Sequence, residues 1–300
     1  MKAPFPQYHE LADLIRLAKQ EDMRDDDVTS RLLIPADATG RGVLVQKQTG
    51  VICGLPIVEM VCRQYDPRLR VESVTAEAID AIEGQYAAEP KRLPRLVITG
   101  PMRPLLSAER VLLNFVQRLS GIASQTHRYV QAVAGTQARI YDTRKTTPGW
   151  RLLEKYAVRC GGGENHRMGL YDGLLIKDNH LAAIPLAQLA TQLSQIVQTS
   201  RREARTRFIQ VEVDTLQQLR EVLKVQQIDS ILLDNMDCPT MSQAVAMRDA
   251  AGRKGVLALE ASGSINLTTV RAIANTGVER ISVGALTHSA VALDIGLDVE

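Results

Sequence analysis

Six short apolar runs, each ending in polar residues and each followed by an amphipathic helix pattern, constrain the fold of this chain more than any other feature. They are ARIYD from Ala138, GLLIK from Gly173, FIQVEV from Phe208, SILLD from Ser230, VLALEAS from Val256 and RISVGA from Arg280. Buried strands alternating with helices of this length imply parallel strands joined by right-handed crossovers, in a barrel or a doubly wound sheet. The polar residues decide between the two. Asp142 to Lys145, Lys177 to His180, Glu212, Asp234-Asn235, Glu260 with Ser262-Gly263, and Gly284-Ala285 all stand at the C-terminal ends of runs. Charged groups so placed converge on the mouth of a (β/α) barrel, where such folds hold their chemistry. Only six runs are present, so an α/β fold with an incomplete six-stranded (β/α) barrel is expected.

The preceding part of the chain mixes periods. His9 to Gln20 and Leu55 to Tyr65 read as helices, and Gly42 to Lys47 and Val71 to Ile79 as strands, which describes an N-terminal α+β sandwich domain. Pro90, Pro94 and Pro101 then precede a helix with Ser107 as the expected N-cap and Val111, Leu112, Phe115, Leu119 and Ile122 as its apolar stripe. The expected division is an N-terminal domain over 1–113 and a catalytic barrel over 114–288, with the tail 289–300 packing back on the first domain. No stretch approaches the roughly 20 apolar residues that span a bilayer, and MKAPFPQYHELADLI lacks a signal-peptide run, so a cytoplasmic location is expected. Cys53, Cys62, Cys160 and Cys238 form no C-x-x-C pair and read as reduced structural thiols.

A whole-chain charge of +2 gives no broad basic field for nucleic acid. The segment from Arg139 to His180 is by contrast cationic, with eight Arg or Lys against five acids. Arg151, Lys155 and Arg159, on a helix pattern, read as a solvated face. Arg144, Lys145, Arg167 and Lys177 stand at strand ends or in loops beside glycines, where a fold presents ligand-binding groups. Arg144 and Arg167 suit bidentate grips on carboxylates, and Lys145 and Lys177 suit phosphate, which points to a dicarboxylate beside a phosphate ligand. Gly161-Gly162-Gly163 reads either as close approach of backbone to ligand or as a helix exit. Ser262-Gly263-Ser264 and Val283-Gly284-Ala285 offer backbone N–H groups and following helix N-termini for a phosphate. Glu212 and Asp234, on adjacent strands, suggest a Mg²⁺ carried in with that phosphate; Glu212 paired to a lysine is the competing reading. His166, His180 and His288 lack metal-ligand spacing, and no Ser-His-Asp signature, Walker loop or G-x-G-x-x-G is present.

Taken together, AERVLLNFVQRLSGIAS, DTRKTTPGWRLLEKYAVRCGGGENHRMGLYDGLLIKDNH, VEVDTLQQL, ILLDNM, EASGSI and ISVGALTHSAVALDIGLD closely resemble the quinolinate phosphoribosyltransferase family. The resemblance is strongest from about Ser107 to Asp298, and EDMRDDDVTSRLLIPADATGRG is similar to the family's opening domain, with Arg24 to Asp26 where glycine is common. It implies Mg-dependent transfer of phosphoribosyl from phosphoribosyl pyrophosphate to quinolinate with decarboxylation, giving nicotinate mononucleotide, pyrophosphate and CO₂ in NAD biosynthesis. It also implies that Arg110, Arg144, His166, Arg167 and Lys177 surround quinolinate, while Lys145, Glu212, Asp234, Ser262, Gly263, Gly284 and His288 face the sugar phosphate. Thr143, Ser264, Val283 and Ala285 complete the substrate-binding set, Ser264 standing where the family often has glycine. Lys145, Lys177, Glu212 and Asp234 are the expected catalytic residues, with Glu212 and Asp234 as metal ligands. The family's dimers imply a homodimer with shared active sites and Arg110 donated across the interface. A sister phosphoribosyltransferase of the same fold and a non-catalytic anion-binding protein are the rival readings; the full NHR string and the intact charged set favour the quinolinate enzyme.

Overall fold

A computed structural model describes residues 4–74, 79–203 and 208–300. The chain divides into two compact units, one made of residues up to His127 with Thr147–Gly162 and Ser289–Glu300, the other of Arg128–Thr146 with Gly163–His288. The 113/114 position of the expected boundary falls inside a helix, so the sequence signal marks the helix and not the change of unit.

The first unit opens with helix α1 (Tyr8–Met23), which buries Leu11 and Ile15, and α2 (Val28–Leu33), capped by Asp27, whose carboxylate accepts from the Ser30 N–H at 2.9 Å. Then follow β1 (Thr39–Gln46), β2 (Gly50–Val51), α3 (Leu55–Tyr65), β3 (Arg70–Ser73), α4 (Ile79–Ile82), β4 (Tyr86–Ala87), β5 (Leu93–Pro101) and α5 (Met102–Ala132). The strand expected over Val71 to Ile79 is thus β3 only as far as Ser73; part of that run lies outside the described residues, and Ile79 already opens α4. Helix α5 starts directly after Pro101, so Ser107 is inside it and not its N-cap. The Ser107 hydroxyl instead donates to Asp27 at 2.7 Å, tying α5 to the cap of α2. The apolar stripe is as expected, with Val111, Leu112, Phe115, Leu119 and Ile122 buried.

Two later segments belong to this unit. Helix α6 (Arg151–Cys160) buries Leu153 to Val158. Lys155 is only 1% exposed, so the reading of Arg151, Lys155 and Arg159 as a solvated face fails at its middle residue. Glu154 accepts from Arg118 at 2.8 Å and from the Thr147 hydroxyl at 2.9 Å. The last strand, Ile295–Val299, pairs antiparallel with β1 in a four-stranded sheet ordered last strand, β1, β5, β3. Gly121 makes room for the residues leading to that strand: a Cβ there would lie 2.1 Å from the Val291 carbonyl oxygen.

The second unit holds the six runs. All form strands: β6 (Arg139–Tyr141), β7 (Leu174–Ile176), β8 (Ile209–Val213), β9 (Ser230–Asp234), β10 (Ala258–Ser262) and β11 (Arg280–Ser282), so the final strand of the chain is β12. Every pairing among the six is parallel, in the order β6-β11-β10-β9-β8-β7. No β6–β7 pairing occurs among the described residues, which leaves the barrel incomplete. Helices α7 (Asp178–Leu181), α8 (Leu186–Glu203), α9 (Leu216–Val222), α10 (Cys238–Ala250), α11 (Val270–Ala274) and α12 (Ala285–His288) follow the strands. Burial of all five β8 residues, like the apolar β9, follows from cover on both faces. Among the described residues no helix is long and apolar enough to cross a membrane.

Candidate active site

Because successive side chains of a strand alternate between faces, residues at the C-terminal ends of parallel strands reach one rim. A cavity of about 800 Å³ opens there, lined entirely by the second unit. Of the expected site residues, Thr143, Arg144 and Lys145 after β6, His166 and Arg167 before β7, and Lys177 after it all line the cavity. So do Glu212 on β8, Asp234 on β9, Ser262, Gly263 and Ser264 at the end of β10, and Val283, Gly284, Ala285 and His288 after β11. Arg110 does not line it; it is exposed on α5, in the first unit.

Local hydrogen bonds fix the cationic side. Asp142 is fully buried and accepts from Asn165 Nδ2 at 2.6 Å and from the His166 N–H at 2.8 Å, which shapes the turn that delivers His166 and Arg167. Arg167 donates to the Gly173 carbonyl at 2.9 Å. Burial, then the positive charge of Arg144, lowers the Arg167 pKa, against the pull of Asp172. Arg144 and Lys145 pair with no carboxylate among the described residues, while Lys177 donates to Glu212 at 2.9 Å. The competing reading of Glu212 as a lysine partner therefore describes a real contact, made inside the cavity.

The opposite wall is backbone. Gly263 has φ +98°, and a Cβ there would lie 2.0 Å from Asn235 Oδ1, so only glycine fits. Ser264 follows with φ 48°, a conformation that side chains other than Asn and Asp take at a cost. After Gly284 the chain enters α12 at once, but after Ser264 helix α11 begins only at Val270. The β10 side of the expected phosphate cradle is thus a loop and not a helix N-terminus. Gly161 to Gly163 do not line the cavity; Gly161 caps α6, and a Cβ on it would lie 2.3 Å from the Ala123 carbonyl oxygen. The run is the helix exit.

Of the cavity floor, the strand-end pattern named Glu260 without giving it a role, and named neither Gln210, Ser282 nor Leu175. Glu260, Ser282 and Leu175 line the cavity from below, and Glu260 is bonded to Gln210, Arg280 and Ser282. A signal existed in FIQVEV, where Gln210 and Glu212 interrupt an apolar run two residues apart and so share a face.

Fold and cavity define a (β/α)-barrel enzyme whose mouth takes polyanionic substrates. Family models give the particular case: the model described as quinolinate phosphoribosyl transferase, N-terminal domain, matches residues 27–120, and that of the C-terminal domain matches residues 122–298. The chain belongs to the quinolinate phosphoribosyl transferase family and is a phosphoribosyltransferase. It is 41% identical over 294 residues to a carboxylating nicotinate-nucleotide pyrophosphorylase of Mycobacterium leprae, with 96% of each chain covered. A chloroplastic enzyme of the same name from Arabidopsis thaliana is 36% identical over 310 residues, covering 100% of this chain and 86% of that one. Among solved structures, NadC from Streptococcus pyogenes matches with a TM-score of 0.87 at 32% identity, covering 99% of both chains. The nicotinate-nucleotide pyrophosphorylase of Francisella tularensis matches with a TM-score of 0.85 at 32% identity, covering 98% of both.

Proposed function

We propose that this enzyme transfers the phosphoribosyl group of phosphoribosyl pyrophosphate to the ring nitrogen of quinolinate, with loss of CO₂, giving nicotinate mononucleotide and pyrophosphate on the route to NAD. The observation that carries the reading is the cationic wall of one cavity, which Arg144, Lys145, Arg167 and Lys177 all line, with Arg144 and Lys145 paired to no carboxylate among the described residues. A dicarboxylate answers that excess of positive charge. Lys145 and the backbone around Gly263 and Gly284 suit the sugar phosphate on the other wall.

Within this reading the bond from ribose C1 to pyrophosphate breaks as the quinolinate nitrogen bonds to C1. The protein holds two anions in attack geometry and neutralises the leaving group. The C–CO₂ bond then breaks, its electron pair stabilised beside the pyridinium nitrogen, and that carbon takes a proton. Mg²⁺ belongs to the same proposal, with Glu212 and Asp234 as its carboxylates, because the ion takes one or two carboxylates with waters and substrate oxygens. The donors present fit it: Glu212 and Asp234 stand on the adjacent parallel strands β8 and β9 and both line the cavity with their carboxylates. When bound, the ion supplies positive charge to the pyrophosphate. The proposal extends to a homodimer with shared sites, to which Arg110 suits its exposure on α5, and to a cytoplasmic location.

Incubation with quinolinate, phosphoribosyl pyrophosphate and Mg²⁺ tests the reading by product analysis. Nicotinate mononucleotide, pyrophosphate and CO₂ are expected in equal amounts. No product, or turnover of nicotinate as fast as of quinolinate, overturns it.

A further inference from the structure

A chain of hydrogen bonds with a set direction crosses the cavity floor. Glu260, fully buried on β10, accepts from Gln210 Nε2 at 2.9 Å, from Arg280 Nε at 2.6 Å and from the Ser282 hydroxyl. These three donors, one of them a guanidinium, hold the carboxylate ionised despite its burial. An ionised carboxylate only accepts, so the amide NH₂ of Gln210 must face Glu260 and its Oε1 must face away. His166 Nε2 lies 2.8 Å from that Oε1, and His166 Nδ1 accepts from the Arg167 backbone N–H at 2.8 Å. A ring that accepts at Nδ1 carries its proton at Nε2. Both nitrogens are thus engaged by the protein, and the ring packs edge-on against Phe208, with centroids 5.2 Å apart.

We infer that Gln210 is a positioning residue for the quinolinate end of the cavity: oriented by Glu260, it holds His166 so that ring carbon, and not nitrogen, meets the ligand. The inference rests on the proposed function and deepens it. It makes His166 a wall for the pyridine ring and leaves the two carboxylates to Arg144, Arg167 and Lys177. Nothing about Gln210 itself touches the substrate; it acts through His166.

Gln210→Met keeps the side-chain length and removes both polar ends, freeing the His166 ring to turn toward Glu260, whose Oε1 lies 3.6 Å from Nε2. The KM for quinolinate is expected to rise about tenfold or more, while that for phosphoribosyl pyrophosphate changes less than about twofold. A merely structural role would instead lower stability and move both constants together, or neither. A second measurement does not depend on the folding of Gln210→Met. In wild-type protein labelled with ¹⁵N-histidine, the His166 signals, assigned by their loss in His166→Phe, should show Nε2 protonated and Nδ1 bare without ligand. The opposite tautomer, or an unchanged quinolinate KM in folded Gln210→Met, overturns the inference. Wild-type protein that makes no product from quinolinate overturns the functional reading instead, and the tautomer measurement distinguishes the two failures.

Discussion

Arg144 is the residue on which the proposed specificity turns. Exposed at the rim, it contributes little to the core, so Arg144→Ala is expected to leave the melting temperature nearly unchanged. Truncating one member of a desolvated charge pair typically costs about 2 to 5 kcal/mol, so kcat/KM for quinolinate should fall by ~10²-fold or more. A large drop in melting temperature with near-normal turnover would make Arg144 structural. Discrimination against nicotinate follows from the same pair. With one carboxylate missing, a guanidinium is left unanswered, and a penalty of about 2 to 3 kcal/mol gives roughly a hundredfold preference for quinolinate in side-by-side kinetics. These residues were legible in the sequence because charge beside glycine at a strand end is hard to explain otherwise. Gln210 was not, since one amide inside an apolar run acquires meaning only from what lies across the barrel.

At the scale of elements, the Asp27 cap shows how a short helix is secured. Asp27 accepts from the Ser30 N–H and hydroxyl and from Ser107 on α5, and the Ser30 hydrogen bonds, side chain then backbone, lower its pKa from the ordinary 3.8. Asp27→Ala should cost about 1 kcal/mol, measurable by denaturant unfolding. The sign of its pH dependence is fixed: a carboxyl with a depressed folded pKa stabilises above its unfolded value and loses that effect as pH falls through the folded one. The difference between wild type and Asp27→Ala should therefore be full at neutral pH and shrink below 3.8. A difference that grows on acidification would show the carboxylate to be unfavourable. The expected start of α5 at Ser107 failed for a related reason. Ser107 has a good capping side chain, but Pro101 ends a strand that runs straight into the helix, and the hydroxyl serves another helix's cap.

At the scale of the whole molecule, the proposed shared site can be tested by mixing. Arg110→Ala and Lys177→Ala should each be nearly inactive alone. Random re-pairing of an equimolar mixture makes about half the dimers mixed, each with one site free of both changes, so roughly a quarter of wild-type activity should return. No recovery, once subunit exchange is verified by mass, would place Arg110 outside any partner's site.

Periodicity in the sequence determined the six parallel strands, because a buried strand must be apolar along its length and its polar end residues then have only the rim to occupy. It also placed much of the cavity wall, such as Arg144, Lys145, Lys177, Glu212, Asp234 and Gly284, at strand ends, whereas His166 and Arg167 stand in the segment before β7 and owe nothing to that periodicity. Tertiary structure alone decided the strand order, the placing of Thr147–Gly162 in the first unit, and the burial of Lys155. It alone decided how the floor of the cavity is bonded as well. The direction of the hydrogen bonds through Gln210 depends on Glu260, fifty residues away in sequence but 2.9 Å away across the barrel, and no local pattern encodes which two side chains such a closure brings together.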